Sequence, residues 1–314
     1  MSTTFLYNSS AISTQSDLIT NGFLKNLVPI EKSKTLVEPD YKNFIKPMMI
    51  RRMSKATKMS IACAFKCLQD SGEEQPDAII VGTGLGSLAD TEKFLKVSTS
   101  IEKKILPPTS FIQSGHNTIA GQIALLLIND CYNMTHVQQA LSFEHALLDS
   151  MLSISEGKKL VLTGAVDEHT PLLDDLANRF GINEDTKDQL SEGAGYFVLG
   201  PNRSKANAEI VSTSISNYDS LTDSISSFLR DNELSDRDIE KGFIAFSLSD
   251  KFPVDLDFEL LCYSDYSGRH FSSSAFGLHI ANRYIQEYNM NDKYVLIINV
   301  ASNNKLGLIL LKGV

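Results

Sequence analysis

The sequence predicts an α/β protein of five layers, αβαβα, built from two pseudo-symmetric halves, and three observations carry that expectation. Buried-type strands alternate with helices along the whole chain. Two polar elbows, Ser114-Gly115-His116-Asn117 and Ser267-Gly268-Arg269-His270, each precede an apolar helix. The order of elements repeats, with KLVLTGAVD answered by KYVLIINVA and GYFVLG by LGLILLKG. Helices that are apolar on most faces fit best between two sheets. The expected division is 1–200 for the first half and 201–314 for a shortened second half within one compact unit.

At 314 residues and 42% hydrophobic content the chain is long enough to bury a large core. Its 29 basic and 38 acidic residues leave a net charge of −9, which favours neither nucleic acid nor anionic lipid. The longest apolar run at the first elbow helix ends at Asn129-Asp130, and the N-terminus lacks a basic-then-apolar signal, so a cytoplasmic protein without a membrane span is expected. Cys63, Cys67, Cys131 and Cys262 supply no second pair for zinc, and Cys63 and Cys67 read as small core residues of one helix.

Taken in order, FLYNSSAIS is the first strand candidate and EPDYKNFIKP a loop. Arg51 to Asp70 opens with a basic turn and continues at helical period, with Gly72 as C-cap. DAIIVGTGLG is a buried strand running into glycines; Gly82, Gly84 and Gly86 miss the dinucleotide spacing and are expected to make a tight turn. A short helix follows at Thr91 to Ser98.

Pro108–Ile128 is the central stretch of this reading: Thr109 to Gln113 as strand, Ser114 to Thr118 as elbow, Ile119 to Ile128 as a helix buried on nearly every face. A strand-to-helix elbow is where a nucleophile meets the positive end of a helix. Next come a helix at Ser142 to Glu156, the strand KLVLTGAVD, a helix at Leu172 to Phe180, the strand Tyr196 to Leu199, a ribbon at Asn202 to Ser216 and a helix at Ser220 to Asn232. GFIAFSL, the second elbow, a helix from Ser272 to Tyr288 and two closing strands complete the chain.

These residues resemble the β-ketoacyl synthases of the thiolase fold. RRMSKATKMSIACAFKCLQDSG looks like that family's Arg-rich turn and helix, DAIIVGTGLGSL like its glycine-ended strand, KLVLTGAVDE like the strand before its Gly-Gly turn, and SEGAGYFVLG like its Glu-Gly-Ala-Gly strand. SFIQSGHNTIAGQIAL is similar to a chain-length-factor-like branch of aryl polyene and flexirubin-type pigment pathways. The resemblance implies a cysteine at the first elbow, where Gly121 in register leaves Thr118 or Asn117. It implies a first histidine after GFIAFSL, where FSLSDKFPVDLDFELLCYSDYS has none. It also implies a second histidine, for which Arg269 is in register and His270 one residue late.

The expected function is therefore a non-catalytic partner, a chain-length factor, for a cysteine-bearing ketosynthase. The pairing is a heterodimer, or a homodimer with itself, served by acyl carrier protein and needing no cofactor or metal. The alternative is an active acyltransferase with a rearranged site at His116, Asn117, Thr118 and His270. Ser114, Gly115, Gly121, Gly268 and Arg269 are the expected residues of the acyl cleft.

Overall fold

A computed structural model describes residues 3–15, 22–31, 35–100, 108–182, 184–246 and 254–314. In chain order the elements are β1 (Thr4–Ile12), α1 (Pro47–Ile50), α2 (Lys55–Ser71), β2 (Ala78–Gly82), α3 (Leu88–Thr99), α4 (Pro108–Gln113), α5 (Thr118–Leu127), β3 (Tyr132–His136), α6 (Ser142–Ser155), β4 (Val161–Asp167), α7 (Pro171–Arg179), α8 (Glu184–Asp188) and β5 (Gly193–Gly200). The second half adds β6 (Ala208–Asn217), α9 (Leu221–Asp231), β7 (Ile239–Phe246), β8 (Leu260–Cys262), α10 (Ser264–Ser267), α11 (Ser273–Tyr288), β9 (Tyr294–Ala301) and β10 (Lys305–Gly313).

The ladder runs β3-β2-β4-β5-β1-β6-β10-β9-β7-β8. Read outward from the antiparallel β1–β6 junction, each half has the same order, first-fifth-fourth-second-third, so the duplication in the sequence is a duplication of topology. The pairing repeats too: in each half the two outermost pairs beyond the fifth-fourth pair are parallel, and the fifth strand is antiparallel to both neighbours.

Because successive side chains leave a strand on opposite faces, the apolar strands feed two cores at once. In β2, Ala78 and Ile80 face the central core while Ile79 and Val81 face the outer core with α2 and α5. In β9, Val295 and Ile297 face the central core, and Leu296, Ile298 and Val300 the outer core with α9. α6 and α11 supply the central core and contact strands of both halves, α6 touching β2, β4, β6 and β10 and α11 touching β1, β5, β7 and β9. The five-layered αβαβα fold follows.

Local chemistry explains the helix limits. Ser54 Oγ accepts from Thr57 N at the start of α2, and Gly72 ends it at φ 71°, as the sequence predicts. Three expectations are corrected. Thr109 to Gln113 is not strand but the short helix α4. The ribbon at Asn202 to Ser216 is one strand, β6, preceded by a 3-10 turn at Arg203–Lys205. The helix after the first polar elbow, α5, is not the central one: it lies in the outer layer against α2, burying Ile119, Ala120 and Ile123 while Leu125 is 70% and Ile128 93% exposed. An apolar run that would fill a central helix is here half on the surface.

Candidate functional site

The pseudo-symmetry identifies the counterpart of α11 as α6, since each follows the third strand of its half and each lies between the sheets. The first-half elbow is therefore Val137 to Ser142, between β3 and α6, and not Ser114 to Thr118. Gln139 holds a left-handed backbone there, φ 54°, which a side chain adopts at a cost of about 1–2 kcal/mol. Gln139 is exposed, and the next two residues, Ala140 and Leu141, are buried. Ser142 Oγ braces the turn, accepting from Gln138 N at 2.8 Å and lying 2.9 Å from Thr83 O and 2.6 Å from Gln139 O. The exposed residue of this elbow is a glutamine, and a neutral amide is no nucleophile for a thioester.

The predicted residues of the other elbow lie apart from it. His116 and Asn117 are exposed, Ser114, Gly115, Thr118 and Gly121 half-buried. Thr118 Oγ1 donates to Ile112 O at 2.6 Å, and Asn117 makes no side-chain cap. His116 packs its ring against Gly86, where φ is +65° and an added Cβ would come within 3.0 Å of it. Among the described residues no hydrogen bond or cavity joins this segment to His270.

His270 is placed deep in the second elbow. Gly268, at φ +70°, turns the chain where a Cβ would meet Ile30 and Ser191 at 2.3 and 2.4 Å. Arg269, 4% exposed, is locked to Gln189 by N–O at 2.7 Å and Nε–Oε1 at 2.8 Å, and Ser191 N donates to Arg269 O at 3.0 Å. Ser191 Oγ donates to Ser267 O at 2.6 Å, so its contact with His270 Nδ1 at 3.2 Å takes its proton from the ring. That leaves Nε2 as the acceptor nitrogen beside Gly193. Burial pushes the imidazole down to about 4, and it is neutral at physiological pH. The segment 247–253, where the resemblance places a first histidine, lies outside the described residues.

Two carboxylates that sequence reasoning passed over organise the floor. Asp167, at the end of β4, accepts from Thr83 Oγ1, Gly84 N and Leu85 N at 2.8–3.1 Å, so the glycine turn's amides are directed to a side chain of this protein. Burial outweighs those bonds and lifts it to about 6. Glu168 accepts from Ala56 N at 3.0 Å and Ala89 N at 2.9 Å, tying together the first turns of α2 and α3. Burial raises it as well. Both were visible as the acidic pair ending an apolar strand. Phe271 sits against Gly84, where a Cβ would approach its own Cβ to 2.3 Å, and packs on Ala140, Leu141 and Ala301.

The two elbows, each at the start of a central helix, stand in equivalent places of the two halves, one carrying the exposed Gln139 and the other the buried His270. Residues 26–174 match the family model described as beta-ketoacyl synthase, N-terminal domain. The chain has the ketosynthase fold. It is similar to the ishigamide ketosynthase/chain length factor at 13% identity, covering 99% of both chains with a TM-score of 0.78. It is similar to a β-ketoacyl synthase from Burkholderia phymatum STM815 at 13% identity, 100% of both chains and 0.76. The ketosynthase ApeO in complex with its chain length factor ApeC, from Xenorhabdus doucetiae, is matched at 16% identity, 99% of both chains and 0.60. No curated protein matches by sequence.

The ketosynthase-fold chain has one open sheet edge beside its elbow. Among the described residues β3 pairs only with β2, and Tyr132, Met134 and Val137 on and just beyond it are 38–39% exposed. The neighbouring helices add Leu125, Ile128 and Leu152, each 48% exposed or more. Among the described residues no helix is long and apolar enough to cross a membrane, and no group of three metal-ligating side chains forms.

Proposed function

We propose that this chain is the non-catalytic partner of a cysteine-bearing ketosynthase, a chain-length-factor-like subunit that works with an acyl carrier protein in fatty-acid or polyketide-type synthesis. The observation that carries the reading is Gln139: the elbow keeps its left-handed turn at the mouth of a central helix, and the residue mounted there cannot form a thioester. A nucleophilic amide would need a proton removed at a pH far outside the physiological range, whereas a thiolate forms readily at a helix N-terminus.

The partner fits the β3 edge. An unpaired strand edge flanked by Tyr132, Met134, Leu125 and Ile128 offers ladder hydrogen bonds together with apolar area, the combination that extends a sheet across two subunits. Two of the similar structures are of a ketosynthase together with a chain length factor, and a third, at 15% identity and a TM-score of 0.75, is of an acyl-carrier protein in complex with its ketosynthase. These assemblies support the choice of partner.

The test is reconstitution. The purified chain, incubated with acyl-loaded carrier protein and a malonyl donor, is expected to give neither a covalent acyl adduct by mass spectrometry nor an elongated product. A cysteine-bearing ketosynthase from the same organism is expected to co-elute with it and to elongate only in its presence. Elongation by the isolated chain, lost on His270→Ala, would replace this reading with that of a rearranged acyltransferase.

A further inference from the structure

One cluster of titratable side chains stands on the open β3 edge. Tyr132 and His136, two of the residues of β3 that face α6, both reach Asp149: His136 Nε2 lies 2.8 Å and the Tyr132 hydroxyl 3.1 Å from its Oδ2. His145, one helical turn before Asp149 on α6, sets its ring beside that of His136, with centroids 6.4 Å apart and planes 28° from parallel. The two tautomers are fixed by their partners. A carboxylate and a carbonyl only accept, so His136 Nε2 donates to Asp149 and His145 Nδ1 to Leu141 O at 2.9 Å, leaving His136 Nδ1 and His145 Nε2 to take up protons. The other charged groups here are Lys158, 5.6 Å from the centre of the Tyr132 ring, and Glu156. Burial, with Asp149 and Glu156, pushes the Tyr132 hydroxyl up, so it stays protonated.

The cluster has one carboxylate for two imidazoles. A proton on His136 makes an ion pair with Asp149. A second proton, on His145, faces that cation across the gap between the rings and has only a backbone carbonyl as partner. It also sits in the first turn of α6, at the positive end of the helix. In the free chain water offsets this, since the His136 side chain is 25% exposed and His145 half-buried. Met134 and Val137, beside the cluster in the chain, and Leu152, on the turn after Asp149, are exposed apolar residues of the same edge, and a partner that covers them removes that water.

We propose that the His136–His145 pair is an acid-release device on the partner edge: the chain joins its ketosynthase with His145 neutral, and uptake of the second proton drives the complex apart. This rests on the ketosynthase-partner reading at the β3 edge and adds to it a condition of pH. Imidazole is the side chain whose charge changes between pH 5 and 8. A complex that excludes one such proton binds more weakly as pH falls, because the separated chain holds the proton and the complex does not. For an ordinary imidazole the loss is about tenfold between pH 7.5 and 5.5.

The experiment measures the affinity of the full-length chain for the cysteine-bearing ketosynthase by calorimetry at pH 7.5, 6.5 and 5.5, with the thermal unfolding of each chain followed at the same pH. The parent is expected to bind about tenfold more weakly at the acid end while remaining folded. His145→Asn keeps a donor for Leu141 O and cannot charge, and its affinity is expected to change less than about threefold over the same range. His145→Lys fixes the charge, and is expected to bind about tenfold more weakly than the parent already at pH 7.5 while remaining folded. Titrating groups of the ketosynthase act equally on parent and variants, so the difference between the curves belongs to the pair. Equal pH dependence in the parent and His145→Asn, or His145→Lys binding as the parent does, would overturn the release and leave the partner reading in place. A parent that binds the ketosynthase at no pH would overturn the partner reading, and the proposal with it.

Discussion

Asn299, on β9, ties Glu144, on α6, to the elbow: its Nδ2 lies 2.7 Å from Glu144 Oε1 and 2.8 Å from the carbonyl oxygen of Ala140. The bond crosses from the second half of the chain to the first, 155 residues away, through the central layer. Glu144 is fully buried, its Oε1 against Gly307, where a Cβ would come within 2.7 Å. Asn299 and the hydroxyl of Ser274 stabilise its charged form, but burial outweighs both. The elbow is thus held from behind by a carboxyl group whose charged form is disfavoured by burial.

The first prediction concerns that carboxyl. Burial lifts Glu144 to about 7 from its ordinary 4.5, so between those values the folded chain keeps a proton that the unfolded chain has released. Its contribution is fully present below the unfolded value and is lost as pH rises through the folded one, a swing of about 3 kcal/mol. Urea midpoints measured from pH 5 to 8 should fall for the parent and fall less for Glu144→Gln. The amide keeps the acceptor for Asn299 and cannot titrate. Parallel slopes for the two proteins would contradict this account.

His270 works in the opposite direction. Its folded value is depressed to about 4 from 6.5, so the neutral ring contributes stability that is complete above the unfolded value and lost as pH falls toward 4. His270→Asn retains a donor for Ser191 and cannot titrate. The parent should lose about 3 kcal/mol more than this variant between pH 7 and pH 4, read as the difference in urea midpoint at the two ends.

The duplication was legible in the sequence because both copies of the fourth and fifth strands are continuous apolar runs buried on two faces. Such runs have the same signature wherever they occur, and they lie in β4, β5, β9 and β10 as expected. The second elbow was legible for a related reason: Gly268 marks a left-handed turn directly. The first elbow was misplaced because its marks are inverted. Gln139 takes the left-handed turn without a glycine, and β3, YNMTH, is an edge strand with polar, exposed residues that has no apolar period to detect. Meanwhile IALLLI resembles a central helix because a half-exposed apolar surface has the composition of a core. Glu144 was unreadable, since its partner is an asparagine 155 residues away, whereas Asp167 and Glu168 showed as an acidic pair ending an apolar strand without their partners, backbone amides and the Thr83 hydroxyl.

That correction is itself testable at Asn117 and Thr118. Asn117 caps nothing, and Thr118 spends its hydroxyl on Ile112 O at an exposed turn. Asn117→Ala and Thr118→Ala should each change stability by no more than about 0.5 kcal/mol. They should leave co-elution with the ketosynthase and product length as in the parent; loss of product on either substitution would return the catalytic role to that segment.

Met134 and Leu125 probe the open edge. Leu125 is 70% and Met134 39% exposed, so a carboxylate placed on either, as Leu125→Asp or Met134→Asp, reaches water in the isolated chain. In a complex that buries them the charge is desolvated, and binding should weaken by about 2 kcal/mol or more. The expected pattern by size-exclusion chromatography and thermal unfolding is a folded chain with an unchanged melting temperature that no longer co-elutes. Retained co-elution in both variants would move the partner face elsewhere.

Gln139→Cys separates the missing nucleophile from the missing acid–base groups. The turn already supplies the left-handed backbone, exposure, and the N-terminus of α6, whose amides favour a thiolate. Cys131 is the exposed native thiol and serves as the internal control, with Cys63 and Cys67 buried. The variant should therefore accept an acyl group from a thioester at position 139 faster than at Cys131, mapped by mass spectrometry of the peptides, whereas the parent shows no adduct at 139. Elongation should remain undetectable. His270 Nε2 is buried beside Gly193 under the second elbow, and carbon–carbon bond formation needs donors aimed at the thioester oxygen as well as a nucleophile to hold the chain. An acylated Gln139→Cys that also elongates without a partner would mean the remaining groups are in place, and that a single substitution is all that divides this subunit from an enzyme.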